Sequence, residues 1–331
     1  MTRRTRGTFS DSESGPLSNF RISLKTGVDV SGQLERLVKL LFGAPWETPT
    51  WEEQAMFQAS AARLRSADAG RQVGAVVVDE EYELLVTGTN EVPRAGGGQY
   101  WGDDAKDHRD FRIGYDANLR LKHDLVIDVF QSLKANVGWL SREKQELPVE
   151  QLTREAVDGP LKDSRIGDIL EFGRIAHAEM AAICTARRRG TPLRGGVLLT
   201  TTYPCHECAR LIIAAGIARV IYVDPYPKSR VREMYRFEVS DDGSEYSDKV
   251  RFDPFVGVAP RLYPTVFSMV GRGRDPLTGD YLDWEPAQAR PRLMEEAQVY
   301  FPPYVLEDAV VEQLRNDLAR VGAAAYQERA E

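Results

Sequence analysis

His177-Ala178-Glu179 and, further along, Pro204-Cys205-His206-Glu207-Cys208 decide how this chain is read. Together they supply one imidazole, two thiols and one carboxylate in the order H-x-E…P-C-x-x-C. Each residue type has a chemical task. A neutral imidazole and two thiolates suit Zn²⁺, and three protein ligands leave a fourth coordination position for water. The metal lowers the pKa of that water towards neutrality and makes it a nucleophile. Glu179 follows His177 by two residues, where it can shuttle protons without being a ligand. His177, Cys205 and Cys208 are therefore expected to hold a metal, with Glu179 as the catalytic residue.

The residues around these motifs alternate between helix and strand. Residues 177–189 lack Gly and Pro and predict a helix stopped by Gly190. Val197 to Thr202 predicts a strand, Cys205 to Ala215 a second helix entered at Pro204 and closed by Gly216, and Ala218 to Val223 a second strand. The ligands then sit at the starts of two helices, whose backbone N–H groups favour thiolate.

Other uses of these residues fit less well. The chain has three cysteines, too few for a four-thiolate site. A structural Cys₂His₂ site completed by His206, His108 or His123 leaves Glu179 and Pro204 without a task. A redox dithiol does not call for His177 or Glu179. Cys184, seven residues after His177, is expected to be small apolar filler against the sheet.

The upstream half adds to the pattern. Thr50-Trp51-Glu52-Glu53 is a capping box opening a helix to about Ser66. Ser66-Ala67-Asp68 and Arg71-Gln72-Val73-Gly74-Ala75-Val76-Val77-Val78 follow, then a hairpin through Asp79 to Glu81 and a strand ending at Thr89-Asn90-Glu91-Val92-Pro93.

With these segments, the chain resembles the cytidine and deoxycytidylate deaminase superfamily. The resemblance implies a three-layer α/β/α sandwich with a mixed central sheet, a Zn²⁺ cofactor and hydrolytic deamination at C4 of cytosine. It also implicates Asn90 in a contact to the substrate sugar. Read from the residue alone, Asn90 also fits a turn residue bonding its own backbone.

Tyr222 to Ser229, Val250 to Arg261 and Gly96 to Trp101 are similar to a bacterial branch of anti-phage enzymes. That branch converts dCTP or dCMP to the uracil nucleotide and depletes the pool a phage needs. Its members often carry an N-terminal P-loop domain. No G-x-x-x-x-G-K-[ST] occurs here, so this is a short form or that domain was removed.

Arg71, Arg174 and Lys228 are the candidates for phosphate, Arg for bidentate contacts and Lys as a point charge. Each also reads as a surface charge or an ion pair. Ala178 and Thr202 complete the expected substrate contacts, although strand-end packing explains Thr202 and Tyr203 equally well. Arg187-Arg188-Arg189 close a helix, where cations are favourable anyway.

Composition narrows the function classes. The chain is 42% hydrophobic and 28% charged with a net charge of −7, and its mean hydropathy is −0.39. The acidic balance argues against nonspecific or stable nucleic-acid binding. No apolar stretch is long enough to span a membrane. Met1 to Gly15 begins basic but no apolar core follows, and few cysteines suit a reducing cytoplasm. The expected partners are a deoxycytidine nucleotide substrate, an allosteric nucleotide and further copies of the chain. A deaminase acting on single-stranded DNA or RNA, and a noncatalytic zinc-containing nucleotide sensor, are the alternatives.

Three regions are expected. Residues 1–48 form a tail and a short helix at Leu34 to Phe42, 49–230 the deaminase domain with an insertion at about 96–172, and 231–331 a C-terminal extension packed on the core. In the insertion, Gly96-Gly97-Gly98 allows close approach to a ligand or provides a hinge. Asp103 to Arg112 reads as a solvated loop. Residues 117–135 predict a helix burying Leu121, Leu125, Val129 and Phe130, and a second short helix includes Ile166, Ile169 and Leu170. The two helices cover the active site or build a subunit interface. Later on, Ser240 to Ser247 predicts a mobile loop, Val250 to Phe255 and Arg261 to Phe267 extended structure, and Val305 to Arg320 an amphipathic helix.

Overall fold

Alternation along one strand explains the layering. In the strand Gly74–Val78 (β2), Val76 and Val78 pack with Ala55, Met56 and Ala59 of one helix, while Val77 packs with Ala182, Ala186, Ala209 and Ile212 of two others. Successive side chains of a strand point to opposite faces, so helices cover both. All five residues of β2 are buried accordingly.

The computed structural model describes residues 19–23, 29–136, 138–162, 164–169, 171–241, 248–269, 273–275, 277–281, 283–289 and 291–292. In chain order the elements are β1 (Phe20–Arg21), α1 (Val30–Leu41), α2 (Trp51–Arg63), β2 (Gly74–Val78), β3 (Leu84–Thr89), α3 (Asp110–Ile113), α4 (Ala117–Ala135), α5 (Arg142–Glu146) and α6 (Val149–Asp158). They continue with α7 (Ala178–Arg189), β4 (Val197–Thr202), α8 (His206–Ala214), β5 (Arg219–Asp224), α9 (Val231–Met234), β6 (Val239–Ser240), β7 (Val250–Pro254), β8 (Gly257–Val258) and α10 (Tyr263–Phe267). The expected tail at 1–18, Leu170, Asp242 to Ser247 and the helix at Val305 to Arg320 lie outside the described residues.

The described residues divide into two compact units, one drawn from 19–21 and 50–260, the other from 22–49 and 261–292. The first holds a six-stranded sheet ordered β3-β2-β4-β5-β7-β6. β2 runs antiparallel to β3 and β4, and β4, β5, β7 and β6 are mutually parallel. This is the expected mixed sheet in a three-layer α/β/α sandwich. The sheet takes in β7 and β6, so this unit reaches Pro260, beyond the expected boundary at 230. In the second unit, α1 is capped by Asp29, whose Oδ1 accepts from Gly32 N at 2.9 Å, and α1 packs with α10.

Capping and close approach set the core. Thr50 Oγ1 accepts from Glu53 N at 3.2 Å and Glu53 Oε2 accepts from Thr50 N at 2.8 Å, which is the capping box read from the sequence. Gly88 lets α7 lie against β3, since a Cβ there would stand 2.0 Å from the Ala178 carbonyl oxygen. That approach places the first turn of α7 at the end of the sheet.

Three expectations are corrected. Arg261 to Phe267 is helical rather than extended: a 3₁₀ turn at Pro260–Leu262 leads into α10, whose Pro264 sits in the first turn, where no N–H is needed. The insertion carries four α-helices, α3 to α6, and a 3₁₀ turn at Arg165–Asp168 instead of two helices. Within α4 the buried residue is Val126, whereas Leu121 and Val129 are each 45% exposed. No helix among the described residues is long and apolar enough to cross a membrane.

Candidate metal centre and active site

His177 is the N-cap of α7 and Cys205 the N-cap of α8, with Cys208 in the first turn of α8. α7 leads into the start of β4 and α8 leaves its end, so both helix starts lie at the C-terminal end of β4. His177 Nδ1 lies 3.2 Å from Cys205 Sγ and 3.3 Å from Cys208 Sγ. Tetrahedral Zn–N and Zn–S bonds impose a separation of about 3.5 Å, so the donor set and its spacing fit Zn²⁺. Among the described residues, His177, Cys205 and Cys208 form the cluster with metal-holding spacing. His206, His108 and His123 are not in it, and the four-ligand structural site has no fourth donor there.

Glu179 stands beside this cluster without joining it. It is 3% exposed, its Oε1 accepts from Thr200 Oγ1 at 3.2 Å, and its Oε2 accepts from Cys208 Sγ at 3.4 Å. Burial raises its carboxyl above the ordinary value. The two thiols are pushed apart. The Cys208 hydrogen bond, followed by that of His177, lowers Cys205 against its burial, whereas burial raises Cys208. Burial alone would lower His177, but the Cys205 sulfur and the Glu179 and Asp68 carboxylates outweigh it and raise the imidazole to about 9. Thr200 was not read as a site residue. It shares a face with Thr202 by the period of two along β4, which was the available signal.

A cavity of about 410 Å³ opens over the centre. His177, Glu179 and Cys205 line it together with Asn90, Thr202, Arg71, Arg174 and Lys228. Ala178 does not line it and is fully buried under β3.

Two expected contacts are already engaged within the protein. Asn90 Oδ1 accepts from Val73 N at 2.6 Å, while its Nδ2 donates to Asp68 Oδ2 at 2.8 Å and to the Arg71 carbonyl at 2.7 Å. Its amide thus shapes the 68–73 loop. Arg174 donates to Asp110 Oδ1 at 2.6 Å and to the His108 carbonyl at 3.0 Å. Arg71, by contrast, is exposed, and no side-chain hydrogen bond or ion pair engages it among the described residues.

Sequence reasoning missed Asp68, Asp110, Asp116 and Asn118, which also line the cavity. Asp116 had a local signal as the N-cap of α4, where it accepts from Leu119 N at 2.9 Å. The others are placed by tertiary folding of the insertion and the 68–73 loop. Cys184 is corrected: it is exposed, because the buried stripe of α7 is Ala178, Ala181, Ala182 and Ala186 and Cys184 falls off it. The three glycines at 96–98 have φ of 86°, 98° and 81°, a left-handed path that glycine adopts readily, and they form a tight turn closed by Arg94 N donating to the Gly98 carbonyl at 2.9 Å.

Comparison with known proteins agrees with this centre. Residues 49–224 match the family model of the cytidine and deoxycytidylate deaminase zinc-binding region. A Drosophila melanogaster protein described as "Probable deoxycytidylate deaminase" is 29% identical over 173 residues, covering 52% of this chain and 59% of that protein. The chain thus spans about three-fifths of that relative's length. The deoxycytidylate deaminase of Enterobacteria phage T2 is 37% identical over 54 residues, 16% of this chain and 29% of that one. The crystal structure of the dCMP deaminase from cyanophage S-TIM5 aligns over 63% of this chain and 99% of its own at 15% identity and a TM-score of 0.33. On the family match and the His-Cys-Cys centre it contains, the chain belongs to the cytidine and deoxycytidylate deaminase family and carries its zinc-binding region.

Proposed function

We propose that this chain deaminates deoxycytidine nucleotides, converting dCMP and/or dCTP to the uracil nucleotide and ammonia. The observation that supports this most directly is the three-ligand centre, reached from a cavity through His177 and Cys205, beside a buried carboxylate that is not part of the ligand set. Zinc bound there supplies Lewis-acid activation of a water molecule. Glu179, held by the first turn of α7 and by Thr200, takes the proton from the attacking water, delivers it to ring N3 and then assists the departure of ammonia. Backbone N–H groups at the start of α8 offset negative charge that develops on the oxygen attached to C4.

The nucleotide assignment draws on the relatives, which include deoxycytidylate deaminases, and on the cations of the cavity. In this reading Arg71 and Lys228 meet phosphate, Arg174 exchanges Asp110 for phosphate when substrate enters, and Asn90 and Thr202 contact sugar and base. Depletion of deoxycytidine nucleotides against phage, regulation by a nucleotide, assembly of several copies and a cytoplasmic setting belong to the same reading.

Ammonia release from zinc-loaded protein tests it, with deoxycytidine, dCMP, dCTP, CTP and single-stranded DNA side by side. Release from dCMP or dCTP is expected. Release confined to the DNA would assign a polynucleotide substrate instead, and none from any substrate would assign a sensor.

A further inference from the structure

One buried carboxylate touches three segments that border the cavity, and the deamination chemistry has no use for it. Glu91 is 1% exposed. Its backbone pairs with Ala176, the residue before His177, through Glu91 N to the Ala176 carbonyl at 3.2 Å and Ala176 N to the Glu91 carbonyl at 3.1 Å. Its Oε2 accepts from Ala67 N at 3.0 Å, next to the cavity-lining Asp68, and its Oε1 accepts from Val92 N at 2.8 Å. The same Oε2 lies 3.5 Å from Nη1 of Arg109, which belongs to the insertion.

Arg109 is itself only 7% exposed. Asp107 clamps it from the other side, accepting from Nε at 2.9 Å and from Nη2 at 2.7 Å. Those hydrogen bonds hold the Asp107 carboxyl well below the usual carboxylate range. Arg65 extends the network by donating to Gln99 Oε1 at 3.0 Å and to the Tyr100 carbonyl at 3.1 Å, with its guanidinium 3.8 Å from the Trp101 ring centroid. Gln99 in turn donates to the Thr89 and Glu91 carbonyls at 2.5 and 3.2 Å. Arg109 immediately precedes Asp110, which lines the cavity and holds Arg174.

We infer that Glu91 is a positioning residue for substrate binding: through Ala67 it sets the 68–73 loop, through Arg109 it sets the inserted flank carrying Asp110, which holds Arg174, and through its backbone it holds Ala176, the residue that precedes His177. This rests on the deaminase reading above and adds to it a determinant of nucleotide affinity outside the reacting groups. A buried ion pair is a weak source of net stability, but removing one partner leaves the other charge uncompensated, so the flank shifts when the pair is broken. The metal ligands are held by helix starts and remain in place.

The test uses the full chain loaded with zinc, with Glu91→Gln, Arg109→Lys and Arg109→Met compared with the unaltered protein. Bound zinc, melting temperature, kcat and KM for the turned-over nucleotide are measured. Glu91→Gln and Arg109→Met are expected to raise KM roughly tenfold, while kcat changes less than about threefold and zinc stays at one equivalent. Arg109→Lys, which keeps the charge, is expected to recover most of the affinity. If Glu91→Gln does not fold, the pair of Arg109 variants carries the same comparison. A lowered melting temperature with unchanged KM would overturn the inference and leave the deaminase reading standing. No turnover by the unaltered protein on any nucleotide would overturn that reading, and the inference with it.

Discussion

The metal end of the cavity and its inserted flank are built by different means. At the metal end, helix starts place His177, Cys205 and Cys208, and the main supports are backbone geometry: an N-cap, a first turn, a glycine that lets α7 approach β3. On the flank, Asp110 and Arg174 are placed by side-chain charges reaching across the insertion, from Glu91 through Arg109 to Asp107. The first arrangement is rigid and local. The second depends on neighbours distant in sequence and can be altered without touching the reacting groups. Under the proposed function, chemistry falls to the first part and nucleotide selection to the second.

The largest expected effect probes the metal end. Cys208→Ala, or chelation of the unaltered protein, should remove zinc and bring ammonia release to background, with zinc content and turnover followed together; chelated protein should recover when zinc returns. Full turnover without zinc would break the distinction between the two parts. Next in size are the cations that line the cavity. Arg71→Ala should raise KM for the nucleotide roughly tenfold or more with a smaller change in kcat, since a charge-assisted contact is worth about 1.5–3 kcal/mol. Arg174→Ala should cost less affinity, because Asp110 already neutralises that cation. The reverse ranking by steady-state kinetics would move phosphate recognition from Arg71 to Arg174.

Two smaller effects should leave both parts working. Burial alone would raise the Asp253 carboxyl, but hydrogen bonds from Arg219 and Arg251, each at 2.8 Å, outweigh it and hold it below the ordinary value. Its contribution to stability is therefore complete above the unfolded carboxyl value near ~3.9 and is lost as pH falls through the lower folded value. Asp253→Asn should cost about 1.5–3 kcal/mol at neutral pH and flatten the acid limb of the unfolding curve, read by denaturant melts across pH. Thr50→Ala should cost about 1 kcal/mol by removing the cap of α2, with KM and zinc content unchanged.

Legibility in the sequence followed the same division. The H-x-E and C-x-x-C motifs, the capping box at Thr50 and the strands at Gly74–Val78 and Val197–Thr202 were readable because each is set by residues a few positions apart, and folding then joins His177 to the two cysteines. Asp68, Asp110 and Asn118 were not, because only tertiary folding carries them to the cavity. The place of β7 beside β5 was hidden because strand order is not written in strand pattern. Arg261 to Phe267 misled because its β-branched and aromatic residues suit a strand, while Pro264 is tolerated in the first turn of a helix. Cys184 misled because a spacing of seven was taken for the buried face, when the alanines define that face.

The most direct measurement is ammonia release from dCMP and dCTP by Glu179→Gln and by the unaltered protein, at matched zinc content. The account predicts that the variant keeps one zinc on His177, Cys205 and Cys208, and that turnover falls by roughly 10²–10⁴-fold. A variant that holds its zinc and turns over normally would show that the buried carboxylate carries no proton, and the proposed mechanism would be wrong.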